Sequence, residues 1–244
     1  MSPNQKRTPN SRQRIGKRQT DLLASLCNAL SVSGDEQEVR EIVLREVKPI
    51  CQSVKVDALG NVLATRIGSG ADKVRVMIAA HMDEVGFMLT QDEGDGLYSF
   101  SIVGGIDERQ LVGKPVIVGR EHIPGIIGAK AIYLTTPDER KTALKVEQLR
   151  IDLGPGGAGL ANVGDRAGFA TRYTEIGPSI RAKALDNRLG VVNLIELLRS
   201  APDMGYEQTI RAEARLQASC IDSHDFTEGV AAFREKRVPR FSGT

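Results

Sequence analysis

The sequence has few cysteines and no long apolar run. Its 244 residues include three cysteines, Cys27, Cys51 and Cys220, an odd number without the spacing of a metal site. This usage argues against a disulfide framework and favours a reducing compartment. No apolar run approaches the length of a membrane span, and no hydrophobic segment follows the basic start as a secretory signal requires. We therefore expect a cytoplasmic protein without a membrane partner.

Residues 1–18 contain no acidic side chain. They carry six basic residues, and Ile15 is their only large aliphatic residue. Such an arm cannot bury enough surface to fold, which predicts a disordered basic tail over residues 1–19. Electrostatic contact with nucleic acid or a membrane is the alternative for this arm, but no aromatic or amphipathic pattern accompanies its charge. The rest of the chain carries all 31 acidic residues against the remaining 27 of the 33 basic ones, so we expect no nucleic-acid partner.

Apolar residues at helical spacing predict two helices near the start of the chain. The first contains Leu22, Leu23, Leu26 and Leu30, and the second contains Val39, Ile42, Val43 and Val47. Asp35 and Glu38 resemble a capping arrangement at the start of the second helix. Residues 54–57 and 62–65 then alternate around a turn at residues 59–61, which predicts a β-hairpin.

From about residue 86 to residue 177 the sequence consists of short β-type runs interrupted by glycines. The runs are residues 87–90, 97–102, 115–118, 123–127, 151–153 and 168–174. They predict a small β-barrel or sandwich, with one helix-like piece at residues 137–149. An apolar face on residues 188–200 predicts a helix and a return to an α/β pattern. We therefore predict a discontinuous α/β domain of residues 20–87 and 181–244, with residues 88–180 as an inserted β-barrel subdomain.

Residues 74–80 form an apolar, partly β-branched run that ends at His81. Such a run predicts a buried strand, and ligands gather at the carboxyl ends of strands in open α/β sheets. His81 and Asp83 are two residues apart and therefore point to the same side of that strand. An imidazole beside a carboxylate can hold a divalent metal with an oriented ligand. The alternative is a polar strand end whose groups are satisfied by hydrogen bonds without a metal.

Asp186 lies directly before the predicted helix of residues 188–200. By itself it is most simply a helix cap that accepts backbone N–H bonds. Together with His81, Asp83 and the β-rich segment between them, it instead indicates a metal site assembled from two distant segments.

These segments resemble the tetrahedral, or glutamyl and deblocking, aminopeptidases, a family of metallopeptidases with two co-catalytic metal ions. The resemblance runs from about residue 20 to residue 200 and includes the order and separation of the motifs. The matching stretches are residues 32–43, 57–61, 80–87, 103–105, 125–128, 138–140, 151–154 and 183–190. The resemblance implies a mixed-sheet α/β metallopeptidase catalytic domain with an inserted small β-barrel subdomain.

The resemblance also implies roles for the candidate site residues. His81 would be a ligand of one metal ion, Asp186 would bridge both ions, and Asp83 would orient His81. The ions would be zinc, cobalt or manganese. The implied activity is that of a hydrolase, an aminopeptidase that removes N-terminal residues from peptides through a metal-activated water. The implied partners are a peptide substrate and further copies of the chain, which would assemble through the β insert.

The resemblance ends near residue 201. In the family a buried strand follows and ends in a Glu-Glu pair, the general base and a metal ligand, whereas here Glu213 is the nearest candidate. Asp222, His224 and Asp225 do not match the family's later motifs and are interpreted as surface residues. Each metal needs about four donors, so His81 and Asp186 leave a dinuclear site and its domain incomplete. The alternative function is a catalytically inactive, truncated homologue that retains only assembly or binding capacity.

Overall fold

The computed structural model describes residues 15–68, 75–138, 141–177, 179–200 and 224–240, with the backbone alone for Asp225. These residues contain two apolar cores, one among three helices and the other inside a β-barrel. None of the helices in these ranges is long and apolar enough to cross a membrane. The helices and the closed six-stranded barrel together make a mixed α/β fold.

Three helices pack around the first core. Helix α1 spans Lys17–Asn28, α2 spans Gln37–Val47 and α3 spans Leu185–Ser200. Their apolar residues recur every three or four positions, so each helix presents an apolar face to the others. The buried residues of this core are Leu22, Leu23, Leu26, Cys27, Ala29, Val39, Val43, Val47, Val191, Val192 and Ile195. The three predicted helices are confirmed, and α3 begins at Leu185 instead of residue 188.

The first turn of α1 includes residues that the sequence assigned to the basic tail. Lys17 Nζ lies 2.8 Å from Asp21 Oδ1, one helical turn away. Gln19 Oε1 accepts the N–H of Gly16 at 3.0 Å, which satisfies one backbone donor before the helix. Residues 17–19 are therefore helical, and the tail prediction is corrected there. Residues 1–14 lie outside the described residues.

Glu38 does not close the predicted capping box at α2. Its carboxylate instead accepts the N–H of Leu30 at 2.9 Å and lies 2.6 Å from Nε2 of His122. His122 belongs to a turn of the barrel, so this contact joins the barrel to α2. The Glu38 carboxylate therefore binds Leu30 and His122 instead of capping the start of α2.

Strands β1, Ser53–Val56, and β2, Val62–Thr65, form the predicted antiparallel hairpin. Asp57 Oδ1 accepts the N–H groups of Leu59 and Asn61, both at 2.9 Å. Gly60 adopts the left-handed backbone conformation that the turn requires, with φ of 86°.

Six antiparallel strands close the barrel in the order β3-β4-β7-β6-β5-β8. They are β3, Gly86–Asp92; β4, Leu97–Val103; β5, Pro115–Val118; β6, Ile123–Ala129; β7, Leu149–Asp152; and β8, Arg166–Phe169. Alternate residues point inward, as in Phe87 and Leu89 of β3, and fill the interior. Phe87 stacks edge-to-face on Phe100 and Phe169. The predicted barrel is confirmed.

Shorter elements complete the described chain. Three 3₁₀ turns, Glu108–Gln110, Ile132–Leu134 and Val146–Gln148, lie in the barrel connections. Strands β9, Thr174–Ile176, and β10, Ser179–Arg181, form a hairpin between the barrel and α3. Helix α4 spans His224–Glu235.

Three expectations about regular structure are wrong within the described residues. Residues 75–83 form no strand, and Val76 and Met77 are exposed. A strand needs hydrogen-bonding neighbours. The nearby strands β1 and β2 pair only with each other, so they offer no such neighbour to residues 75–83. No mixed sheet is present in the described ranges, where the one parallel pairing is an isolated bridge between Val32 and Glu84. No α-helix is found in the described part of residues 137–149, namely 137–138 and 141–149, which contains the 3₁₀ turn Val146–Gln148 and the first residue of β7.

Candidate functional site

His81 and Asp83 lie on an irregular segment whose end is held by hydrogen bonds to Ser31. The N–H of Glu84 donates to the carbonyl of Ser31 at 2.9 Å. The hydroxyl of Ser31 donates to the carbonyl of Met82 at 3.0 Å. These bonds hold the segment against the loop after α1, so the site is positioned without the predicted strand.

The imidazole of His81 contacts a carboxylate through each ring nitrogen. Nδ1 lies 2.8 Å from Asp83 Oδ1, and Nε2 lies 3.1 Å from Asp186 Oδ1. The structure therefore brings together all three site residues predicted from the sequence. Partial burial lowers the pKa of His81, hydrogen bonds to both carboxylates raise it, and the net direction is upward.

Asp83 is held from its other side by Ser33. The Ser33 hydroxyl donates to Asp83 Oδ2 at 2.5 Å. This bond, followed by the contact with His81, keeps the pKa of Asp83 below its usual value despite partial burial. Asp83 is therefore an ionised acceptor between two donors, which suits a residue that orients an imidazole.

Asp186 is placed at the entrance of α3, where its backbone and that of Asn187 are not helical. The N–H of Gly190 donates to the side chain of Asn187 at 3.0 Å. Asn187 thus makes the cap bond that the sequence allowed for Asp186. Oδ1 of Asp186 faces His81. The side chain is 94% exposed, so its other oxygen is open to solvent.

The chemistry of these groups fits part of a divalent metal site. An imidazole nitrogen and a carboxylate oxygen suit zinc and similar first-row ions, and a carboxylate on the far ring nitrogen fixes the required tautomer. The fit is partial, because the described residues contain no group of three or more His, Cys, Asp or Glu side chains arranged to hold a metal. Glu213 and Asp222 lie outside the described residues, and the side chain of Asp225 is not described. His224 is the first residue of α4.

Three charged side chains that the sequence reasoning did not single out are buried beside the site. Lys183 Nζ lies 2.6 Å from Glu84 Oε1 and donates to the carbonyl of Ala29 at 2.5 Å. Burial lowers the pKa of Lys183 although Glu84 opposes this. Arg188 is fully buried, and its nearest carboxylate oxygen, Glu84 Oε1, is 3.7 Å away. The sequence signal that could have identified these three residues is that each lies within three residues of Asp83 or Asp186.

The guanidinium of Arg188 is the least satisfied polar group of this cluster. Within the described residues, none of its three nitrogens has a hydrogen-bond partner. Burial lowers its pKa, although Glu84 opposes this direction. Buried polar groups are usually hydrogen-bonded, so Arg188 marks a place where the described contacts leave a donor group unpaired.

A cavity of about 460 Å³ lies next to the site, between the loop at Gly34 and Asp35 and the turns of the barrel. Arg120, which pairs with Asp35 at 3.1 Å, and Arg166 are among its lining residues. Arg166 Nε donates to the carbonyl of Ser33 at 3.2 Å. The cavity does not include His81, Asp83 or Asp186, and Ser33 connects its wall to them.

Comparison with known proteins gives matches to aminopeptidases over most of the chain. The sequence model of the M42 glutamyl aminopeptidase family matches residues 60–217. A putative aminopeptidase of Acetivibrio thermocellus is 33% identical over 207 residues, which cover 82% of this chain and 60% of that protein.

Solved structures of aminopeptidases match the fold as well. The TET aminopeptidase from the marine sediment archaeon Thaumarchaeota archaeon SCGC AB-539-E09 is 32% identical, with a TM-score of 0.68, and the match covers 75% of this chain and 53% of that one. The TET1 peptidase of Pyrococcus horikoshii is 31% identical, with a TM-score of 0.65, over 76% of this chain and 57% of that one. The chain thus spans between half and three fifths of the length of these relatives.

Proposed function

The chain belongs to the M42 glutamyl aminopeptidase family, and from this premise we propose that the protein is a metal-dependent aminopeptidase that removes N-terminal residues from peptides. The observation that carries the proposal is the contact between His81 and Asp186. It joins two residues that are 105 positions apart in the chain and whose side chains suit divalent metals.

Each of the three site residues has a distinct role in this proposal. His81 Nε2 and Asp186 would hold zinc, cobalt or manganese, and Asp83 would accept the Nδ1 proton and so leave the Nε2 lone pair free to bind. The exposed second oxygen of Asp186 would let this carboxylate serve a second ion as well. Metal bound at these residues would supply Lewis acidity toward the scissile carbonyl and would lower the pKa of a water toward neutrality.

The experiment combines metal binding with hydrolysis. Purified protein is titrated with zinc by calorimetry and assayed on aminoacyl p-nitroanilides with added zinc, cobalt or manganese. Asp186→Ala removes the proposed bridge and is expected to abolish both zinc binding and hydrolysis. Asp138→Ala is the matched control, because the Asp138 side chain is similarly exposed, at 90%. Full hydrolytic activity of Asp186→Ala contradicts the proposed mechanism.

A second candidate function is a non-catalytic homologue that keeps only assembly or binding capacity. It is favoured by the small number of metal donors, since His81 and Asp186 supply two and each ion needs about four. On this hypothesis the wild-type protein binds no stoichiometric zinc and has no turnover on the same substrates. The titration and the assay therefore separate the two candidates.

The proposed domain division keeps residues 20–87 and 181–244 as one α/β domain with residues 88–180 inserted. It is supported by the shared core of α1, α2 and α3, which lie on both sides of the barrel in the sequence.

We also propose that the barrel mediates assembly of several copies of the chain. The Pyrococcus horikoshii relative can assemble into a tetrahedron or a large octahedral shell, and residues 132–134 of this barrel expose three large apolar side chains. A cytoplasmic location completes the proposal.

A further inference from the structure

The two segments that carry the candidate ligands do not have regular structure of their own at the site. Residues 75–83 form neither a helix nor a strand. On the other side, Ala184 has φ of 54°, and the backbone at Asp186 and Asn187 is not helical. The separation of His81 and Asp186 must therefore be set by contacts between the segments and their surroundings.

One buried ion pair connects these segments directly. Glu84 follows Asp83 in the sequence, and Lys183 precedes Asp186 by three residues. Lys183 Nζ and Glu84 Oε1 are 2.6 Å apart, and the two side chains are only 5% and 4% exposed. Because both groups are shielded from water, their attraction is stronger than that of an exposed ion pair.

The same two side chains also bind the chain that leaves α1. Glu84 Oε1 accepts the N–H of Ser31 at 3.0 Å, and Lys183 Nζ donates to the carbonyl of Ala29 at 2.5 Å. Since Ala29 and Ser31 flank one residue, the pair and the loop after α1 form one connected unit. That unit fixes both ligand-bearing segments against the helical core.

We infer that Glu84 and Lys183 form a positioning pair that sets the distance between His81 and Asp186. The pair does not touch the reacting groups and acts through the two segments that carry the ligands. The inference rests on the proposed function in one respect, namely that His81 and Asp186 bind metal. The geometric part concerns the contact between His81 and Asp186 and stands independently of any metal.

The charges around the pair determine which substitution tests it best. The buried cluster contains two cations, Lys183 and Arg188, and one carboxylate, Glu84. Replacing Lys183 by methionine leaves Glu84 opposite Arg188, 3.7 Å away, so the remaining buried charges are balanced. Replacing Glu84 by an uncharged residue would instead leave two buried cations, which is costly. Lys183→Met is therefore the variant of choice.

The control is Arg199→Met, which removes a different ion pair of α3. Arg199 pairs with Glu46 at 2.5 Å, and its side chain is 31% exposed. It lies on the same helix as Asp186 but more than three turns further along. A general weakening of the helical core would appear in both variants, whereas repositioning of Asp186 would appear only in Lys183→Met.

The first measurement is the imidazole ¹⁵N spectrum of the metal-free, full-length protein. In the wild type, His81 shows hydrogen bonds at both Nδ1 and Nε2. In Lys183→Met the Nε2 signature of the contact with Asp186 is lost, while the local Nδ1 contact with Asp83 is retained. In Arg199→Met both are unchanged. A His81 spectrum of Lys183→Met identical to that of the wild type overturns the inference.

The second measurement is zinc affinity, which separates this inference from the proposed function. If the wild type binds zinc, Lys183→Met is expected to bind it about tenfold more weakly and Arg199→Met equally well. Unchanged affinity in Lys183→Met overturns the positioning role while the proposed function stands. If the wild type binds no zinc, the proposed function fails, and the ¹⁵N spectrum alone tests whether Glu84 and Lys183 position His81 and Asp186. Glu84→Asp, which keeps the charge and shortens the reach, replaces Lys183→Met if that variant does not fold, with the same expected changes.

Discussion

At the scale of single residues, the site is a chain of oriented hydrogen bonds. Ser33 donates to Asp83, Asp83 contacts Nδ1 of His81, and Nε2 of His81 faces Asp186. Each member restricts the next, so the imidazole is oriented from both sides. A ligand held in this way loses little freedom when it binds a metal, which raises its affinity.

Asp83→Asn is expected to weaken zinc binding by about 10- to 100-fold, as loss of the carboxylate behind a metal-binding histidine usually does. The amide retains the shape of Asp83 but not the charge that fixes the His81 tautomer. A competition titration against a chromogenic chelator measures the effect, with Asp138→Asn as the exposed control. Equal affinity of Asp83→Asn and wild type would show that Asp83 does not orient a metal ligand.

Burial controls the reactivity of Cys27. It is fully buried in the helical core, and burial raises the pKa of its thiol to about 11. At pH 8 only about one in a thousand of such thiols is ionised, and the thiolate is the reactive form. We expect iodoacetamide to modify Cys51, which is partly exposed, well before Cys27 in the folded protein. Peptide mapping by mass spectrometry checks this order, and equal rates in the absence of denaturant would contradict it.

At the scale of secondary-structure elements, the start of β3 joins the barrel to the site. Gly86 pairs with Val103 of β4 and lies two residues after Glu84. A Cβ atom on Gly86 would be 2.5 Å from the carbonyl oxygen of Ala167 and 2.5 Å from a methyl group of Val32. Only glycine therefore allows the barrel to pack this closely against the loop after α1.

Gly86→Ala is expected to destabilise the protein by about 1–3 kcal/mol, since neither the backbone of Ala167 nor the buried Val32 can move away freely. Gly105→Ala is the matched control, because a Cβ there has nothing within 4 Å. That substitution is expected to be neutral or to stabilise by about 0.4–1 kcal/mol. Urea unfolding followed by circular dichroism gives both values, and equal stability of the two variants would refute the close approach.

At the scale of the whole molecule, the described chain has two apolar cores, connected by close packing of Gly86 on Val32 and by polar contacts. His122 with Glu38 and Arg166 with the carbonyl of Ser33 connect the barrel to the helical part near the site. Apolar surface is exposed at the 3₁₀ turn Ile132–Leu134, where Tyr133 is 81% exposed. Exposed aromatic residues of this kind are typical of protein–protein contacts.

Tyr133→Asp is expected to lower the molecular mass in solution if the barrel mediates assembly, because the interface would then have to desolvate a carboxylate. Leu59→Asp is the control, since Leu59 is 85% exposed in the turn of the β1–β2 hairpin. Size-exclusion chromatography with light scattering measures the mass of both. An assembly that is unchanged in Tyr133→Asp and reduced in Leu59→Asp would place the contact on the hairpin instead.

Local sequence patterns were sufficient for α1, α2 and most strands of the barrel, even where their packing partners are distant in the sequence. The alternation in residues 97–102 and 115–118 and the glycines between the runs predicted strands that the barrel contains. The same holds for α1 and α2, where apolar spacing alone defines the buried face. His81 and Asp83 could be paired from the sequence because their contact spans only two residues.

The sequence by itself therefore determined α1, α2, α3, the barrel and the local pair of His81 and Asp83, together with the family to which the chain belongs. The tertiary structure alone decided that residues 75–83 form no strand, because an apolar run shows a tendency to be buried and does not supply hydrogen-bonding neighbours. It also decided the direct contact of His81 with Asp186, which the sequence had placed in one site without a geometry, and the contact of Glu84 with Lys183; these span 105 and 99 residues. Such contacts depend on how the chain returns to α1 after the barrel, and no local pattern encodes that return.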